Sequence, residues 1–285
     1  MQTPAATSTS ATAATALAEA PEATVGERLE GTAPEGDRPD RVNPAPALDS
    51  AQRSKEASLR STSPARRTGF TAELWRRAAP VHEQILAHPF LAGLSDGTLS
   101  RDRFKHYVTQ DALYLADYAR ALSLVGVSSR DGETLQMFNR HAGGAIAVER
   151  ELHGGLLAGL GVSGEDVEPA PTTLAYTSYL LSTAALEPYP EALCAVLPCY
   201  WIYREVGDAL AEEGSPEELY GSWIQAYAGE EFDSLVGEVL DLTDRVGERL
   251  SAPERERAGR AFETAARYEW MFWNMGWTLE GWPAG

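Results

Sequence analysis

The sequence predicts an all-α protein whose helices pack into a compact multi-helix bundle. No run of residues alternates apolar and polar side chains as a strand does, and no Asn-Gly or Asp-Gly pair joins two strand-like runs. Two helix starts are clearly marked instead. Ser215 and Ser251 each have a proline within two residues and a glutamate three residues on, at Glu218 and Glu254, which is the spacing of a capping box.

The remaining helices follow from the spacing of apolar residues and from the breaker residues between them. Thr71 is a candidate cap for the first helix, which His88-Pro89-Phe90 ends, and residues 93–97 form a predicted turn. The predicted helices cover residues 71–87, 100–127, 132–160, 173–185, 189–213, 215–228, 230–249 and 251–276, with a loop over 161–171. We expect a pocket between facing helices of this bundle.

The first 68 residues differ in composition from the rest of the chain. They contain no Phe, Tyr, Trp, Ile or Cys and are rich in Ala, Thr, Ser and Pro. Such a segment buries too little apolar surface to offset the entropy lost on ordering. We therefore expect a disordered N-terminal extension over residues 1–68 and one folded domain over residues 69–285.

The charge of the chain narrows the classes of partner. The net charge is −18, nearly all of it carried after residue 68, which argues against nucleic acid and anionic membranes. No apolar run approaches the roughly 20 residues that cross a bilayer. The two cysteines, Cys194 and Cys199, lie five apart on a predicted helix and so face different directions, which disfavours a disulfide between them. We expect a soluble cytoplasmic protein that binds a small molecule.

Cys199 is the first candidate for a reactive group. It directly follows Pro198 inside an otherwise apolar helix, where proline removes a backbone hydrogen bond and distorts the turn before it. Tyr203 lies one turn further on the same face. A thiol beside a kink with a phenol nearby is a candidate nucleophile, and the alternative is an inert buried cysteine.

Two carboxylates lie in aromatic stripes of predicted helices. Asp111 shares one face with Tyr107, Tyr114 and Tyr118. Glu269 lies on a face with Phe262, Ala265, Phe272, Trp273 and Gly276. Burial disfavours the charged form of a carboxylate, which makes each group a candidate for binding a ligand or transferring a proton. Glu269 is the candidate acid/base. The alternatives are a structural aspartate held by tyrosine or arginine, and a structural ion pair at Glu269.

Metal and cofactor sites are weakly supported. Glu149 and His153 are four residues apart, and His82 and His141 are further candidates. Di-iron bundles repeat a Glu-x-x-His motif on facing helices, and that spacing does not occur twice. Gly-rich phosphate loops and Cys-x-x-Cys sites are also lacking. We expect no metal and no cofactor.

Taken together, several short motifs closely resemble those of the TenA family, also called thiaminase II or aminopyrimidine aminohydrolase. The resemblance covers roughly residues 70–280. The motifs are His88-Pro89-Phe90, Gln110-Asp111 with Tyr114-Leu115, the run 197–203 around Cys199, Trp223-Ile224 with Tyr227, and Glu269 with Phe272-Trp273.

The resemblance implies a haem-oxygenase-like fold without haem, and a hydrolase of thiamin salvage. Members cleave the C–N bond at the pyrimidine methylene of 4-amino-5-aminomethyl-2-methylpyrimidine or of thiamin, which yields 4-amino-5-hydroxymethyl-2-methylpyrimidine. A homotetramer is also implied. The alternatives are a non-catalytic pyrimidine-binding or regulatory bundle, and a haem-oxygenase-like metal oxidase that uses Glu149 and His153.

The resemblance also implies roles for individual residues. Cys199 is the expected nucleophile and Glu269 the acid/base, while Asp111 recognises the amidine-like edge of the pyrimidine. The substrate-binding residues are expected to be Asp111, Tyr114, Tyr203, Tyr227 and Phe272. The chain departs from the family at Ala112, where an aromatic residue is common, and we expect a looser pocket wall there.

Overall fold

Long helices joined by short connections make up the part of the chain that the structure describes. This structure is a computed structural model, and it describes residues 62–151 and 167–283, without the side chains of Glu149 and Glu151. The helices are α1 (Phe70–Leu86), α2 (Pro89–Ser95), α3 (Arg101–Ser128), α4 (Gly132–Glu151), α5 (Pro171–Leu186), α6 (Tyr189–Ala211), α7 (Glu218–Ala228), α8 (Glu230–Gly247) and α9 (Ala252–Thr278). These two ranges contain no strand, which confirms the predicted all-α class.

Serine caps fix two of the helix starts, of which only the one at Ser251 was predicted. Ser100 accepts a hydrogen bond from the Arg103 amide at 3.3 Å and begins α3, and Ser251 forms the predicted capping box at the start of α9. The prediction at Ser215 was wrong by three residues, because α7 begins at Glu218. The Ser215 hydroxyl accepts from the Glu217 amide instead, within a turn that precedes the helix.

Two further details near the start of the domain differ from the predictions. Thr71 lies inside α1 rather than capping it, and its amide donates to Asp244 on α8. His88 and Pro89 do more than end α1, because the His88 imidazole accepts from the Phe90 amide and caps the short helix α2. Proline suits the first position of a helix, so α2 replaces the first part of the predicted turn, and Gly97, with a φ of 76°, completes it.

Helix α6 is the centre of the bundle. It is buried along nearly its whole length and packs against α9, α7, α8 and α5. Helix α3 packs against α4, α5 and α9, so α3, α6 and α9 enclose the middle of the molecule. The apolar surface that these helices remove from water is the main source of stability for the fold.

The segment before α1 contacts the body of the protein. The Trp201 indole donates to the Thr62 carbonyl at 2.8 Å, and the Thr62 hydroxyl donates to Asp233 at 2.5 Å. Arg67 pairs with Asp241 and Asp244 of α8, each at 2.8 Å. Residues 1–61 lie outside the described residues, so the disordered extension and its boundary stay predictions.

A candidate active site at the centre of the bundle

The partial accessibility of Cys199 indicates an internal space in the bundle. Its neighbours along α6 are almost all buried, yet Cys199 keeps partial accessibility deep inside the protein. Cys194 is only 1% exposed, and both cysteines are free thiols, as predicted. Pro198 lies inside α6 directly before Cys199. The accessible thiol is therefore the one that follows the proline.

The other predicted site residues gather around this space from three further helices and from α6 itself. Asp111 and Tyr114 come from α3, Tyr227 from α7, and Glu269 from α9. Tyr203 from α6 and Phe272 from α9 complete the walls. Asp111, Tyr114 and Tyr203 each retain a few per cent of exposure, as expected of side chains that border an internal space.

Glu269 is a buried acid with one hydrogen-bond partner. It is 1% exposed, and the Tyr176 hydroxyl donates to its Oε1 at 2.5 Å. Burial raises the pKa of Glu269 to about 8, the Tyr176 hydrogen bond opposes this, and the charge of Asp111 adds to it. Within the described ranges no arginine or lysine pairs with Glu269, so the ion-pair alternative is not supported. A carboxyl group with this pKa is able to donate and accept protons near neutral pH.

Asp111 is buried without a counter-charge. No described residue donates a hydrogen bond to its carboxylate, and burial raises the pKa of Asp111 to about 7. Its charge raises the pKa of Tyr107, Tyr203 and Tyr227, after the larger effect of burial, so these phenols lie close to it. A structural aspartate would have its partners in place. Asp111 instead has unused acceptor capacity that faces the internal space.

The thiol of Cys199 lies among groups that act on it in opposite directions. Burial and the nearby Glu269 raise the pKa of Cys199 well above its usual range, while the hydroxyls of Tyr114 and Tyr118 lower it. The Tyr114 hydroxyl is buried and has no hydrogen-bond partner among the described residues. It is therefore free to donate to a ligand or to a thiolate.

Aromatic rings form the walls of the space. Tyr107 stacks on Trp273 with ring centroids 5.0 Å apart, and its hydroxyl is 2.9 Å from the hydroxyl of Tyr203. Phe272 packs at 5.5 Å from Tyr114. Tyr227 lies 5.0 Å from Tyr203 in a position that depends on Gly207, because a Cβ at residue 207 would come within 2.6 Å of the Tyr227 backbone. Flat walls of this kind suit a planar heterocycle.

Tyr176 is the site residue that the sequence did not reveal. It is buried on α5, stacks on Tyr268 at 5.1 Å, and donates to Glu269. In the sequence, Tyr176 belongs to no family motif and to neither of the aromatic faces predicted for the helices of Asp111 and Glu269. Its contact with Glu269 depends on the approach of α5 to α9. Of the C-terminal aromatic residues, Phe272 and Trp273 lie in the core, whereas Trp282 is half exposed and donates to the Pro169 carbonyl.

The other sequence candidates lie elsewhere or have other contacts. Ala112 is fully buried, so no water-sized space adjoins it, and the expected loosening of the wall is not seen. His153 lies outside the described residues, as does the side chain of Glu149. Among the side chains that are described, no group of three or more His, Cys, Asp or Glu is placed to hold a metal ion. None of the helices in these ranges is long and apolar enough to cross a membrane.

Comparison with known proteins identifies relatives of the chain. Residues 75–279 match the family model described as the TENA/THI-4/PQQC family. An aminopyrimidine aminohydrolase from Halalkalibacterium halodurans is 37% identical over 218 residues, which cover 75% of this chain and 97% of that protein.

Solved structures agree on the fold. A TenA family transcription regulator from Silicibacter sp. TM1040 is 31% identical with a TM-score of 0.69, over 73% of this chain and 96% of that one. A domain with a heme oxygenase-like fold from Shewanella denitrificans shares 19% identity and a TM-score of 0.57, over 73% of this chain and 92% of that one, which supports the fold alone. The family model covers most of the chain and the identity to relatives extends over the same region, so the chain belongs to the TENA/THI-4/PQQC family, as its motifs predict.

Proposed function

We propose that this protein is an aminopyrimidine aminohydrolase of thiamin salvage, which releases 4-amino-5-hydroxymethyl-2-methylpyrimidine. One observation carries the proposal: the carboxyl groups of Asp111 and Glu269 share a buried, aromatic-walled space with the Cys199 thiol, and no described lysine or arginine neutralises them. Such a space favours a planar ligand that carries positive charge or several N–H donors. The name of the relative from Halalkalibacterium halodurans supports the same substrate class.

Asp111 is the recognition group in this proposal. An aminopyrimidine presents a ring nitrogen beside an exocyclic amino group, and protonation of the ring makes this edge resemble an amidinium. A carboxylate binds that edge through two parallel, charge-assisted hydrogen bonds. The aromatic walls, among them Phe272 and Tyr114, would cover the faces of the ring.

Cys199 and Glu269 carry out the chemistry. The Glu269 carboxylate takes the thiol proton as the Cys199 sulfur adds to the pyrimidine ring. The resulting carboxylic acid protonates the amino group on the methylene carbon, the C–N bond breaks, and ammonia leaves. Glu269 then takes a proton from water as the water oxygen adds to the methylene carbon. The S–C bond breaks last, the thiol regains that proton, and the hydroxymethylpyrimidine is released.

The raised pKa of Glu269, about 8, supports this double role. Near neutral pH both its acid and its carboxylate form are accessible, which is what a group that alternately donates and accepts a proton requires. Tyr176 holds the carboxyl group in place through its hydrogen bond.

A binding or regulatory role is the second candidate, and the printed name of the Silicibacter relative as a transcription regulator is the observation that favours it. Simple binding of an aminopyrimidine needs Asp111 and aromatic walls. It needs neither a thiol nor a second buried acid. The two candidates therefore differ in whether product forms.

Localisation and assembly are part of the proposal. We place the protein in the cytoplasm, because both of its cysteines are free thiols. We also propose a homotetramer, because large apolar side chains remain exposed on the helices, including Leu186 at 82% and Val127 at 71%. Light scattering at micromolar concentration checks the assembly, and a mass near 30.8 kDa would overturn it.

The direct test is to incubate the purified protein with 4-amino-5-aminomethyl-2-methylpyrimidine and, separately, with thiamin. We expect hydroxymethylpyrimidine to appear with an equal amount of ammonia from the first substrate. Binding of the pyrimidine without product from either substrate would overturn the enzymatic proposal in favour of the binding role. Product from thiamin alone would correct the substrate and keep the reaction class.

A further inference from the structure

Tyr107 on α3 is a fully buried tyrosine whose hydroxyl meets a hydroxyl of the candidate site. The hydroxyl oxygens of Tyr107 and Tyr203 are 2.9 Å apart, and this distance allows either group to be the donor. Tyr107 is 0% exposed, whereas Tyr203 keeps 4%. Tyr203 therefore borders the internal space, and Tyr107 lies behind it.

Aromatic rings enclose Tyr107 on its other sides. The centroid of its ring is 5.0 Å from that of Phe90 and 5.0 Å from that of Trp273, on which it stacks. Helix α9 approaches closely at Gly276, where a Cβ would lie 3.0 Å from the Cβ of Tyr107. Among the described residues, Tyr203 is the one hydrogen-bond partner of the Tyr107 hydroxyl.

This enclosure decides which of the two hydroxyls donates. Burial raises the pKa of both Tyr107 and Tyr203 well above the usual range, so each keeps its proton near neutral pH. The bond between them uses one of the two protons. If Tyr203 donated it, the Tyr107 proton would be a buried donor without an acceptor, which is the costly arrangement. Tyr107 is therefore the donor and Tyr203 the acceptor.

With Tyr107 as the donor, the proton of Tyr203 is left for another acceptor. Tyr227 lies with its ring 5.0 Å from that of Tyr203, and Asp111 lies near both phenols of the pair, yet no hydrogen bond joins Asp111 or Tyr227 to either of them. Tyr203 is accessible only towards the internal space. Its proton is therefore available to an acceptor atom of a ligand in that space.

We propose that Tyr107 is a positioning residue for substrate recognition, which holds the Tyr203 hydroxyl as an acceptor and so directs the Tyr203 proton at an acceptor atom of the aminopyrimidine. A hydroxyl that accepts one hydrogen bond is a stronger donor in the next, because the two bonds polarise each other. Asp111 then reads the N–H donors of the ligand, and Tyr203 reads an acceptor. The inference rests on the proposed role of Tyr203 in binding the aminopyrimidine.

The test is a double-mutant cycle on ligand affinity in the full-length protein. Isothermal titration calorimetry measures the Kd of 4-amino-5-hydroxymethyl-2-methylpyrimidine for the wild type, Tyr107→Phe, Tyr203→Phe and the double variant. Loss of one hydrogen bond weakens binding by about three- to tenfold, so we expect about tenfold for Tyr203→Phe and about threefold for Tyr107→Phe. The double variant should bind as Tyr203→Phe does, within about twofold, because Tyr107 acts on the ligand only through Tyr203.

Tyr220→Phe is the matched control. Tyr220 is a buried tyrosine of α7 whose hydroxyl donates to the Leu99 carbonyl at 2.8 Å, so the variant also loses one buried hydrogen bond. It should melt earlier than the wild type and bind the pyrimidine with wild-type affinity. The comparison separates a general loss of stability from a loss of recognition.

Turnover supplies a second readout. With 4-amino-5-aminomethyl-2-methylpyrimidine, Tyr107→Phe should raise KM by about threefold and leave kcat within about twofold, because the lost contact serves binding and not the reacting atoms. A fall in kcat at an unchanged KM would assign Tyr107 to the chemical step and overturn the recognition role.

Folded Tyr107→Phe protein with wild-type affinity would overturn the proposal, as would a double variant that loses about 30-fold, the product of the two single losses. If Tyr107→Phe does not fold, Gly276→Ala decides the question, since the added Cβ displaces Tyr107 and keeps its hydroxyl. Its loss of affinity should be absent in the Tyr203→Phe background, and an equal loss in both backgrounds would overturn the proposal. Wild-type protein that bound no aminopyrimidine would instead overturn the proposed function itself.

Discussion

Two buried polar clusters lie on helix α6, centred five residues apart on Cys199 and Arg204. They differ in whether their buried charges are paired. Around Arg204, the charges are paired: its guanidinium is 1% exposed and binds Asp233, also 1% exposed, at 2.8 Å, and it pairs with Asp208 as well. Thr62 adds a hydrogen bond to Asp233. Around Cys199, Asp111 and Glu269 face one space with no described cation between them.

The comparison separates buried charges that stabilise the fold from buried acids that await a ligand. Burial, the largest single effect, lowers the pKa of Arg204, but the hydrogen bonds and the negative charges of Asp208 and Asp233 together outweigh it and raise the pKa, so the cation is retained. At the other cluster no described cation opposes the effect of burial. The pKa of Asp111 therefore rises to about 7 and the pKa of Glu269 to about 8. Burying two acids without a counter-charge lowers the stability of the fold. A protein keeps such a destabilising arrangement when its function requires it.

The largest effect on stability is expected at the paired cluster. Asp233→Asn removes one charge of a fully buried pair and leaves Arg204 poorly compensated. We expect a loss of about 3–5 kcal/mol in the free energy of unfolding. Urea denaturation checks this, with Asp208→Asn as the control: Asp208 is half exposed and should cost about 1 kcal/mol or less. If both variants lost the same small amount of unfolding free energy, the buried pair would not stabilise the fold more than the exposed one.

At the unpaired cluster the expected loss is in binding. Asp111→Asn keeps the shape of the side chain but removes its charge, so the affinity for the hydroxymethylpyrimidine product should fall by roughly 1.5–3 kcal/mol. Isothermal titration calorimetry measures this. Asp117→Asn, on the same helix and paired with Arg120, should bind as the wild type does. Unchanged affinity in Asp111→Asn would remove its recognition role.

Stability should also depend on pH through Glu269. Its pKa is about 8 in the folded protein and 4.5 in the unfolded chain, so the folded state holds the extra proton between these values. The free energy of unfolding therefore falls as pH rises from about 4.5 to about 8. Glu269→Gln should be about 1–3 kcal/mol more stable than the wild type at pH 8 and nearly equal to it at pH 5, while losing turnover.

Thermal or urea denaturation of Glu269→Gln at both pH values measures this difference. Glu263→Gln, at a partly exposed position on α9 where Glu263 pairs with Arg267, is the control. An equal difference from the wild type at pH 5 and pH 8 would show that Glu269 is charged in the free enzyme.

The smallest expected effect concerns the N-terminal segment. Thr62→Ala removes the hydroxyl that donates to Asp233, and it should cost about 1 kcal/mol in the free energy of unfolding. Deleting residues 1–61 should change stability by less than about 0.5 kcal/mol, because their composition predicts no packing on the body. A large loss on this deletion, measured by the same denaturation, would show that the extension is part of the folded unit.

Local sequence signals predicted most of the helices, but they missed α2 and misplaced the start of α7. Ser251 and Glu254 marked the start of α9 because a capping box involves only neighbouring residues. The same pattern at Ser215 failed, because the turn before α7 is completed by other contacts. Helix α2 was missed, since His88-Pro89 ends one helix and starts another.

The site could be predicted where a motif carried it and not where tertiary packing made it. Helical periodicity placed Asp111 and Glu269 on core-facing stripes, and the structure buries both. Tyr176 has no such signal, because its partner Glu269 lies 93 residues away in the sequence. This contact depends on the approach of α5 to α9, which no single segment encodes.

The most direct test of this account compares the two cysteines of α6. Product release from 4-amino-5-aminomethyl-2-methylpyrimidine is measured for Cys199→Ser and Cys194→Ser beside the wild type, together with the melting temperature of each. The account predicts that Cys199→Ser loses at least about 10³-fold in kcat with an unchanged fold, since an alcohol is a far weaker nucleophile than a thiol at neutral pH. Cys194→Ser should melt earlier and keep its turnover. Near-wild-type turnover in Cys199→Ser would contradict the central claim.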